Sequence, residues 1–296
     1  MQRIEKLLGF ATSLIAAVGL AMIIGIAVPV SGADIYVNST DDVYNGDCLF
    51  ECTLRDAILV SNANGQDDTI HVPAGLYNLT IPNGPVPSDE TGDLDIDSPD
   101  SVTIIGDGPG FTTIDGNAID RVFRISIANG NVVLQGLTIQ GGNPAGSGGG
   151  IFNWDASLWI NNCEITGNYV TDPARQGGGV FNEEGFLYMR DTVVSNNTSD
   201  GEAGGLYFGL GSSNTIVRST IDHNHAASVG GVLTKGTSQF FNVTIYYNTA
   251  DDNIEGLRNT GTATLRHCTL VQGSAATDIA ISCNDLMDEV ILQNTM

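Results

Sequence analysis

The sequence predicts an all-β protein, a right-handed parallel β-helix (a solenoid of about ten coils) with a short N-terminal capping helix. Three observations predict this fold. Two sequence markers recur together at a drifting interval, short apolar runs alternate with polar residues inside each repeat, and Gly, Asn and Asp separate these runs. Short alternating runs between turn residues are typical of strands rather than helices.

The first marker is Gly-Gly followed by an aliphatic residue, at 149–151, 178–180, 204–206 and 230–232, with a weaker copy at 255–257. The second marker places an Asn three positions after an aliphatic residue, and its four copies end at Asn168, Asn197, Asn224 and Asn248. Residues one coil apart stack in columns about 4.8 Å apart. We therefore expect a structural Asn column at a left-handed bend. We also expect an aliphatic core column that contains Ile139, Ile165, Val194, Ile221, Ile245 and Leu270.

The charge of the chain restricts its partners. Its 296 residues include 34 acidic and 11 basic side chains, which gives a formal net charge of −23. Nucleic acids and anionic membranes bind clustered Lys and Arg, and the only lysines are Lys6 and Lys235. We expect no nucleic-acid partner, and membrane contact only through the N-terminal segment. An extracellular polysaccharide or a surface protein remains as the expected partner.

Residues 1–33 have the pattern of a secretory signal, since Arg3 and Lys6 precede an apolar stretch that ends in small residues. The stretch is also nearly long enough for an uncleaved membrane anchor. Both alternatives predict a secreted or surface-exposed chain. The remainder is expected to divide into an N-terminal cap at 34–62 and a β-helix at 63–296, regular from about residue 132. The final apolar run indicates an uncapped strand, so that this end is truncated or docks on a partner.

The cap is expected to contain a disulfide and a helix. Cys48 and Cys52 are close enough in sequence to bridge across a tight turn. Thr53 begins a pattern like a capping box, which predicts a helix over about 53–62. Cys268 either pairs with Cys283 or lies free in the core, as is expected for Cys163.

Residues 52–58, Cys-Thr-Leu-Arg-Asp-Ala-Ile, resemble the signature of secreted bacterial β-helix proteins named for the CSLREA motif, with Thr for Ser and Asp for Glu. The Gly-Gly-aliphatic and Asn repeats are similar to those of polymorphic outer-membrane adhesins, with Ile or Val in place of Phe. The resemblance implies an exported, often surface-displayed β-helix. It implies no particular reaction or catalytic residues.

Three groups of residues are candidates for a site. Asp251 and Asp252 form a carboxylate pair that a hydrolase could use, and Lys235 is the single lysine after residue 33 that could act as a lyase base. The alternative for the aspartates is a solvated turn. Asp93, Asp95 and Asp97 alternate along one strand, so their carboxylates face one side and could bind Ca²⁺, the only cofactor suggested. The alternative is a solvated strand face.

Phe152, Phe181 and Tyr207 follow the first marker at the same place in each coil, which predicts a lateral stripe of aromatic rings. The stripe could bind a glycan, although a stripe of this kind more often packs beneath a loop. The expected function is an exported binding, adhesion or structural module. The alternative is a polysaccharide lyase or glycoside hydrolase. Only the enzyme predicts a groove in which carboxylates and Arg or Lys converge from adjacent coils.

Overall fold

A computed structural model describes residues 32–84, 90–126, 130–252, 254–271, 279–283 and 289–293. The predicted signal or anchor lies outside these residues except for its last two positions. Among the described ranges, no helix is both long and apolar enough to cross a membrane. The residues from Ala33 onward belong to one compact unit.

The described residues form one helix, α1 (Leu54–Asn64), and thirty short strands. In chain order the strands are β1 (Asp34–Tyr36), β2 (Asp68–Val72), β3 (Gly75–Asn78), β4 (Leu94–Ile96), β5 (Val102–Gly106), β6 (Thr112–Asp115), β7 (Phe123–Ser126), β8 (Asn131–Gln135), β9 (Thr138–Gln140), β10 (Ile151–Trp154), β11 (Ser157–Asn161), β12 (Glu164–Thr166), β13 (Tyr169–Val170), β14 (Val180–Glu183), β15 (Phe186–Arg190), β16 (Val193–Ser195), β17 (Thr198–Ser199), β18 (Leu206–Phe208), β19 (Ser213–Val217), β20 (Thr220–Asp222), β21 (His225–Ala226), β22 (Val232–Thr234), β23 (Thr237–Phe241), β24 (Thr244–Tyr246), β25 (Thr249–Ala250), β26 (Ile254–Asn259), β27 (Thr262–Arg266), β28 (Thr269–Leu270), β29 (Ile279–Cys283) and β30 (Glu289–Gln293).

The strands form four parallel sheets, in which neighbours are successive coils. Sheet A is β1-β2-β5-β8-β11-β15-β19-β23-β27-β30, and sheet B is β3-β6-β9-β12-β16-β20-β24-β28. Sheet C is β4-β7-β10-β14-β18-β22-β26-β29, and sheet D is β13-β17-β21-β25. The chain is therefore the right-handed parallel β-helix that the repeats predict. Only sheet A has ten strands within the described ranges, so complete coils are fewer than the ten expected.

The aliphatic column predicted from the repeats is in register in sheet B. Ile139, Ile165, Val194, Ile221, Ile245 and Leu270 pair in sequence. The first five are fully buried, and they stabilise the interior because each removes an apolar side chain from water. Cys163 and Cys268 are buried free thiols, so Cys268 takes the core position, and the side chain of Cys283 lies outside the described part of the chain. Burial raises the pKa of Cys163 to about 12, which makes this thiol unreactive.

The Asn column forms a ladder of side-chain hydrogen bonds. Asn168 Nδ2 donates to Asn197 Oδ1 at 2.9 Å, Asn197 donates to Asn224 at 3.0 Å, and Asn224 donates to Asn248 at 2.9 Å. All four residues are buried, which supports the structural role expected of them. The left-handed backbone occurs one position before each Asn rather than at the Asn itself. These positions are Gly167, Asn196, His223 and Tyr247, with φ of 64°, 54°, 53° and 51°.

Coil length varies mainly at the corner between sheets D and C. Nine residues separate β13 from β14, six separate β17 from β18, and five separate β21 from β22. Six residues lie between β25 and Leu257, the residue of β26 that pairs with the first residue of β22. In the same four coils, every connection from sheet A to sheet B has two residues. The columns therefore stay in register while one corner absorbs the differences in repeat length.

Helix α1 covers the N-terminal coils and packs against β2 and β4. Thr53 is its N-cap, and its hydroxyl accepts a hydrogen bond from the Asp56 N–H at 3.1 Å. The helix runs to Asn64, two residues beyond the expected end, and stops at Gly65 in left-handed conformation. The predicted disulfide joins Cys48 and Cys52 directly before the helix.

Candidate functional site

A cleft of about 460 Å³ lies on the outer face of sheet C, beside β4 and β7. We call it the Asp–Arg cleft, after the charged side chains that line it: Asp93, Asp95, Asp120, Arg121 and Arg124. The carboxylates come from two coils and the arginines from the second. Arg121 and Asp93 are joined by an ion pair of 2.9 Å, as are Arg124 and Asp95.

The alternation of β4 determines which side chains enter the cleft. Leu94 and Ile96 are buried in the core, so Asp95 between them points outward. The parallel register sets Asp95 beside Arg124, and Arg124 in turn beside Phe152 of the next coil. The cleft is therefore the first part of the same outward column that contains the aromatic stripe.

Burial dominates the electrostatics of Asp93. Asp93 is only 5% exposed, and the loss of hydration raises the pKa of its carboxyl group to about 7, even though the positive charge of Arg121 lowers this pKa. Partial burial works against the charge of Arg124, but the hydrogen bond and negative charge of Asp95 outweigh it and raise the pKa of Arg124. Asp93 is thus poised to exchange a proton near neutral pH.

Arg121 has hydrogen-bonding capacity that the described residues do not use. Its guanidinium lies over the ring of Phe152, 5.2 Å from the ring centroid, and donates through Nη1 to Asp93. Its Nε is buried and makes no hydrogen bond to any described residue. A buried unsatisfied donor at a cleft wall is a position where a ligand oxygen would remove an energetic cost.

The predicted Ca²⁺ array differs from what β4 presents. Asp93 and Asp95 are buried and each contacts an arginine, whereas Asp97 is exposed. Within the described part of the chain, no group of three or more His, Cys, Asp or Glu side chains is arranged to hold a metal ion. The alternative of a solvated face is wrong for Asp93 and Asp95 as well, because guanidinium groups replace water there.

The predicted aromatic stripe exists, but most of it is covered. Phe152 and Phe181 stack at 5.1 Å between ring centroids, and Phe181 and Tyr207 stack at 4.9 Å. Phe181 and Tyr207 are each only 6% exposed, because they pack with Ala203, Val229 and Leu233. Two of the three predicted binding residues are therefore packing residues. Phe152 stays half-buried, and the adjacent Trp154 is 44% exposed.

The other predicted catalytic residues lie apart from the cleft lining. Lys235 Nζ donates to Glu202 at 3.0 Å and lies over the Tyr207 ring. Burial lowers the pKa of Lys235, but hydrogen bonds to Glu202 and Tyr207 outweigh it and raise that pKa, the opposite of what a lyase base needs. Asp251 and Asp252 are exposed in the turn after β25, and no ion pair joins either to Lys235 in the described ranges.

Sequence reasoning missed Arg121 and Arg124, although a signal for them existed. Arg124 follows Asp95 by 29 residues, the same interval as between Ile151 and Val180 of the first two regular repeats. Extending that interval upstream places Arg124 beside Asp95. The irregular spacing before residue 132 concealed this relationship.

No protein-family model matches the sequence, and neither does any curated protein. Among solved structures, the chain is similar to the pectin methylesterase of Aspergillus niger, with 13% identity, a TM-score of 0.50, and coverage of 90% of this chain and 87% of that one. It also aligns with the pectate lyase Pel9A at 12% identity and a TM-score of 0.37, over 90% of this chain and 80% of that one. A third alignment is to the A-module of the mannuronan C-5 epimerase AlgE4 from Azotobacter vinelandii, at 13% identity and a TM-score of 0.31, over 87% of this chain and 93% of that one.

At this identity the likeness to the methylesterase shows the fold alone, a parallel β-helix. The resemblance to CSLREA-motif proteins and to adhesins stays a prediction.

Proposed function

We propose that this chain is a hydrolase that cleaves glycosidic or ester bonds of an extracellular polysaccharide in the Asp–Arg cleft. The observation that carries the proposal is the convergence of buried carboxylates and arginines from adjacent coils. Of the two functions that the sequence leaves open, only the hypothesis of an enzyme predicts such a groove. The fold agrees, because the pectin methylesterase with the same fold acts, by its name, on a polysaccharide.

In this proposal Asp93 is the general acid. A carboxyl group with a pKa of about 7 is half protonated at neutral pH, so it can give a proton to the leaving oxygen. Asp95 lies two residues along the strand, about 6–7 Å away, and supplies the second carboxylate. Two carboxyl groups in different environments can divide the roles of acid and of nucleophile or base in hydrolysis.

The arginines have separate tasks. Arg124 is 41% exposed while it holds Asp95, so its guanidinium can orient Asp95 and contact substrate at the same time. Arg121 is 15% exposed and offers its unpaired Nε to a substrate oxygen from the cleft wall. Because both carboxylates already have cationic partners, we propose that the reaction uses no Ca²⁺.

We also propose that the protein acts outside the cell, at the surface or in the medium. The sequence of residues 1–33 supports export, and the disulfide between Cys48 and Cys52 suits an oxidising compartment. Fractionation of producing cells tests this, since the chain should appear in the medium or the surface fraction. Recovery from the cytoplasm alone would contradict it.

A second candidate function is saccharide binding without turnover. One observation favours it: Trp154 is exposed and stacks with Phe152 at 6.3 Å between centroids, and Phe152 in turn contacts Arg121 of the cleft. Exposed aromatic rings beside polar groups are typical of saccharide platforms. This is the binding or adhesion module of the sequence analysis, now restricted to one surface.

The purified chain should be incubated with pectin, alginate, glycosaminoglycans and neutral glucans. The assay scores new reducing ends, released methanol or acetate, and unsaturated products. We expect reducing ends or released alcohol or acid on one polymer, and a loss of roughly 10²–10⁴-fold with Asp93→Asn. Binding with no product would favour the second candidate.

The matched control is Asp252→Asn, which removes a carboxylate from an exposed turn outside the cleft. It should hydrolyse at the wild-type rate. Activity that survives Asp93→Asn, or that disappears with Asp252→Asn or Asp251→Asn, would place the site on the other residues. Unsaturated products would identify a lyase and contradict hydrolysis.

A further inference from the structure

We propose a second site, on sheet B, that binds a neutral saccharide through Asp222, His223, Tyr246 and Tyr247. We call these four residues the Tyr–His patch. They belong to the ends of β20 and β24 and to the corner that follows each strand. None of them lines the Asp–Arg cleft on sheet C, so the proposal does not depend on hydrolysis there.

The patch is held together by register and by ring contacts. β20 and β24 pair so that Asp222 lies beside Tyr246. His223 Nδ1 and Asp222 Oδ2 are 2.6 Å apart, which orients the imidazole. The centroids of the His223 and Tyr247 rings are 5.4 Å apart, and those of Tyr246 and Tyr247 are 5.0 Å apart. Tyr247 is 58% exposed, so an aromatic surface is open to solvent.

The patch also contains a buried carboxylate. Asp222 is only 8% exposed, and its negative charge, together with a hydrogen bond with the neighbouring phenol, raises the pKa of Tyr246. A carboxylate has several acceptor positions on its two oxygens, so Asp222 can also accept from a ligand hydroxyl.

The backbone beneath the patch is unfavourable for its residues. The corner before the Asn ladder is left-handed in four successive coils, and the first two place Gly167 and Asn196 there. Gly and Asn are the residues that tolerate this conformation best. The next two coils place His223 and Tyr247 at φ of 53° and 51°. Arg218 and His267 take the same conformation at the corner between sheets A and B, so the left-handed backbone is a property of the corners of the coil. At this corner it brings the His223 and Tyr247 rings next to each other.

The chemistry of the patch selects the ligand. Aromatic rings bind the C–H faces of sugars, and carboxylate and imidazole groups bind their hydroxyls. The net charge of −23 disfavours polyanions at a surface with no lysine or arginine among its four residues. A neutral sugar polymer satisfies both conditions.

Affinity electrophoresis of the full chain tests the proposal, in native gels that contain mixed-linkage β-glucan, galactomannan or glycogen. We expect at least one polymer to retard the wild type. Tyr247→Gly should weaken this binding by about tenfold or more while it stabilises the chain, because Gly relieves the left-handed backbone. Tyr247→Phe should keep both the ring and the binding.

Two controls separate the patch from other surfaces. Tyr169→Ala removes a partly exposed tyrosine of sheet D that bonds to Asp200, and Asp93→Asn disables the Asp–Arg cleft. Both variants should be retarded like the wild type. The proposal is overturned if none of the three polymers retards the wild type, or if Tyr247→Gly binds as the wild type does. It is overturned as well if Asp93→Asn alone abolishes retardation.

Discussion

Arg55 of helix α1 donates a hydrogen bond of 3.0 Å to the backbone carbonyl oxygen of Asp93, and one of 2.8 Å to that of Gly92. Its guanidinium also pairs with Asp42, with Nε 2.7 Å from Oδ1. Arg55 is 1% exposed and is the arginine of the segment that resembles the CSLREA signature. This arginine therefore connects the capping helix to the strand that presents the proposed general acid.

Replacing Arg55 should destabilise the whole N-terminal end. Arg55→Met removes the cationic partner of the buried Asp42 side chain, which then keeps only the Thr80 and Ile81 N–H donors. It also removes the guanidinium donor to two backbone carbonyl oxygens, and the total cost is about 3–5 kcal/mol. Urea unfolding measures the free energy of unfolding. Arg175→Met is the control, because the Arg175–Asp172 pair is exposed and should contribute less than about 1 kcal/mol. Equal losses in the two variants would contradict the buried role.

Asp93 should make stability depend on pH. Its folded-state pKa of about 7 lies above the ordinary value of 3.8, so between these values the folded state keeps a proton that the unfolded state has released. The contribution of Asp93 to the free energy of unfolding is therefore greatest below pH 3.8. It falls by up to about 4 kcal/mol as the pH rises to 7. Asp93→Asn should lack this fall, and Asp252→Asn should retain it. Unfolding free energies measured from pH 4 to 8 test this directly.

The rate of hydrolysis should depend on the protonation of the same Asp93 carboxyl group. Because the general acid must be protonated, turnover should decline as pH rises through about 7 and the Asp93 proton is lost. The kcat profile on the polymer identified in the panel gives the measurement. A rate that increases steadily from pH 6 to 9 would exclude Asp93 as the acid.

The Asn ladder should be a major source of stability. Asn197 is fully buried, accepts from Asn168, and donates to Asn224 and to the Ile165 carbonyl oxygen at 2.9 Å. Asn197→Ala leaves several of these groups unsatisfied, so we expect a loss of about 2–4 kcal/mol. Asn131→Ala, at an exposed position of sheet A, should change stability by less than about 0.5 kcal/mol. Comparable losses would show that burial of the ladder does not matter.

Chelation should leave hydrolysis unchanged. Arg121 and Arg124 already pair with Asp93 and Asp95, so the cleft has no need of a divalent cation to neutralise them. Turnover with EDTA should equal turnover with added Ca²⁺. A Ca²⁺ requirement that disappears with Asp97→Asn would restore the array predicted from the sequence.

The sequence predicted the fold because a solenoid repeats its constraints. The same aliphatic and Asn positions recur in each coil, so the core column and the ladder could be identified from spacing alone. The capping helix was predictable for a different reason, since Thr53 and Asp56 satisfy its first turn locally.

The site was less predictable because it depends on which coils are adjacent. Whether Asp93 is solvated, metal-bound or paired is decided by Arg121, which lies 28 residues later. Likewise, the burial of Phe181 depends on Ala203 and Val229 of the following turns. No local pattern distinguishes an exposed aromatic stripe from a covered one. The left-handed corner was misplaced by one residue for a similar reason, since Asn is favoured both there and in a ladder.

The corner between sheets D and C has a consequence for how such a protein can change. Counted to the residues that pair in sheet C, its connections range from five to nine residues while the ladders keep their register, so insertions there leave the core undisturbed. Selection, or a designer, can therefore lengthen individual loops one coil at a time and remodel the adjoining surface of sheet C. The β-helix is thus a scaffold with a fixed spacing between coils, on which recognition loops can be exchanged independently of folding.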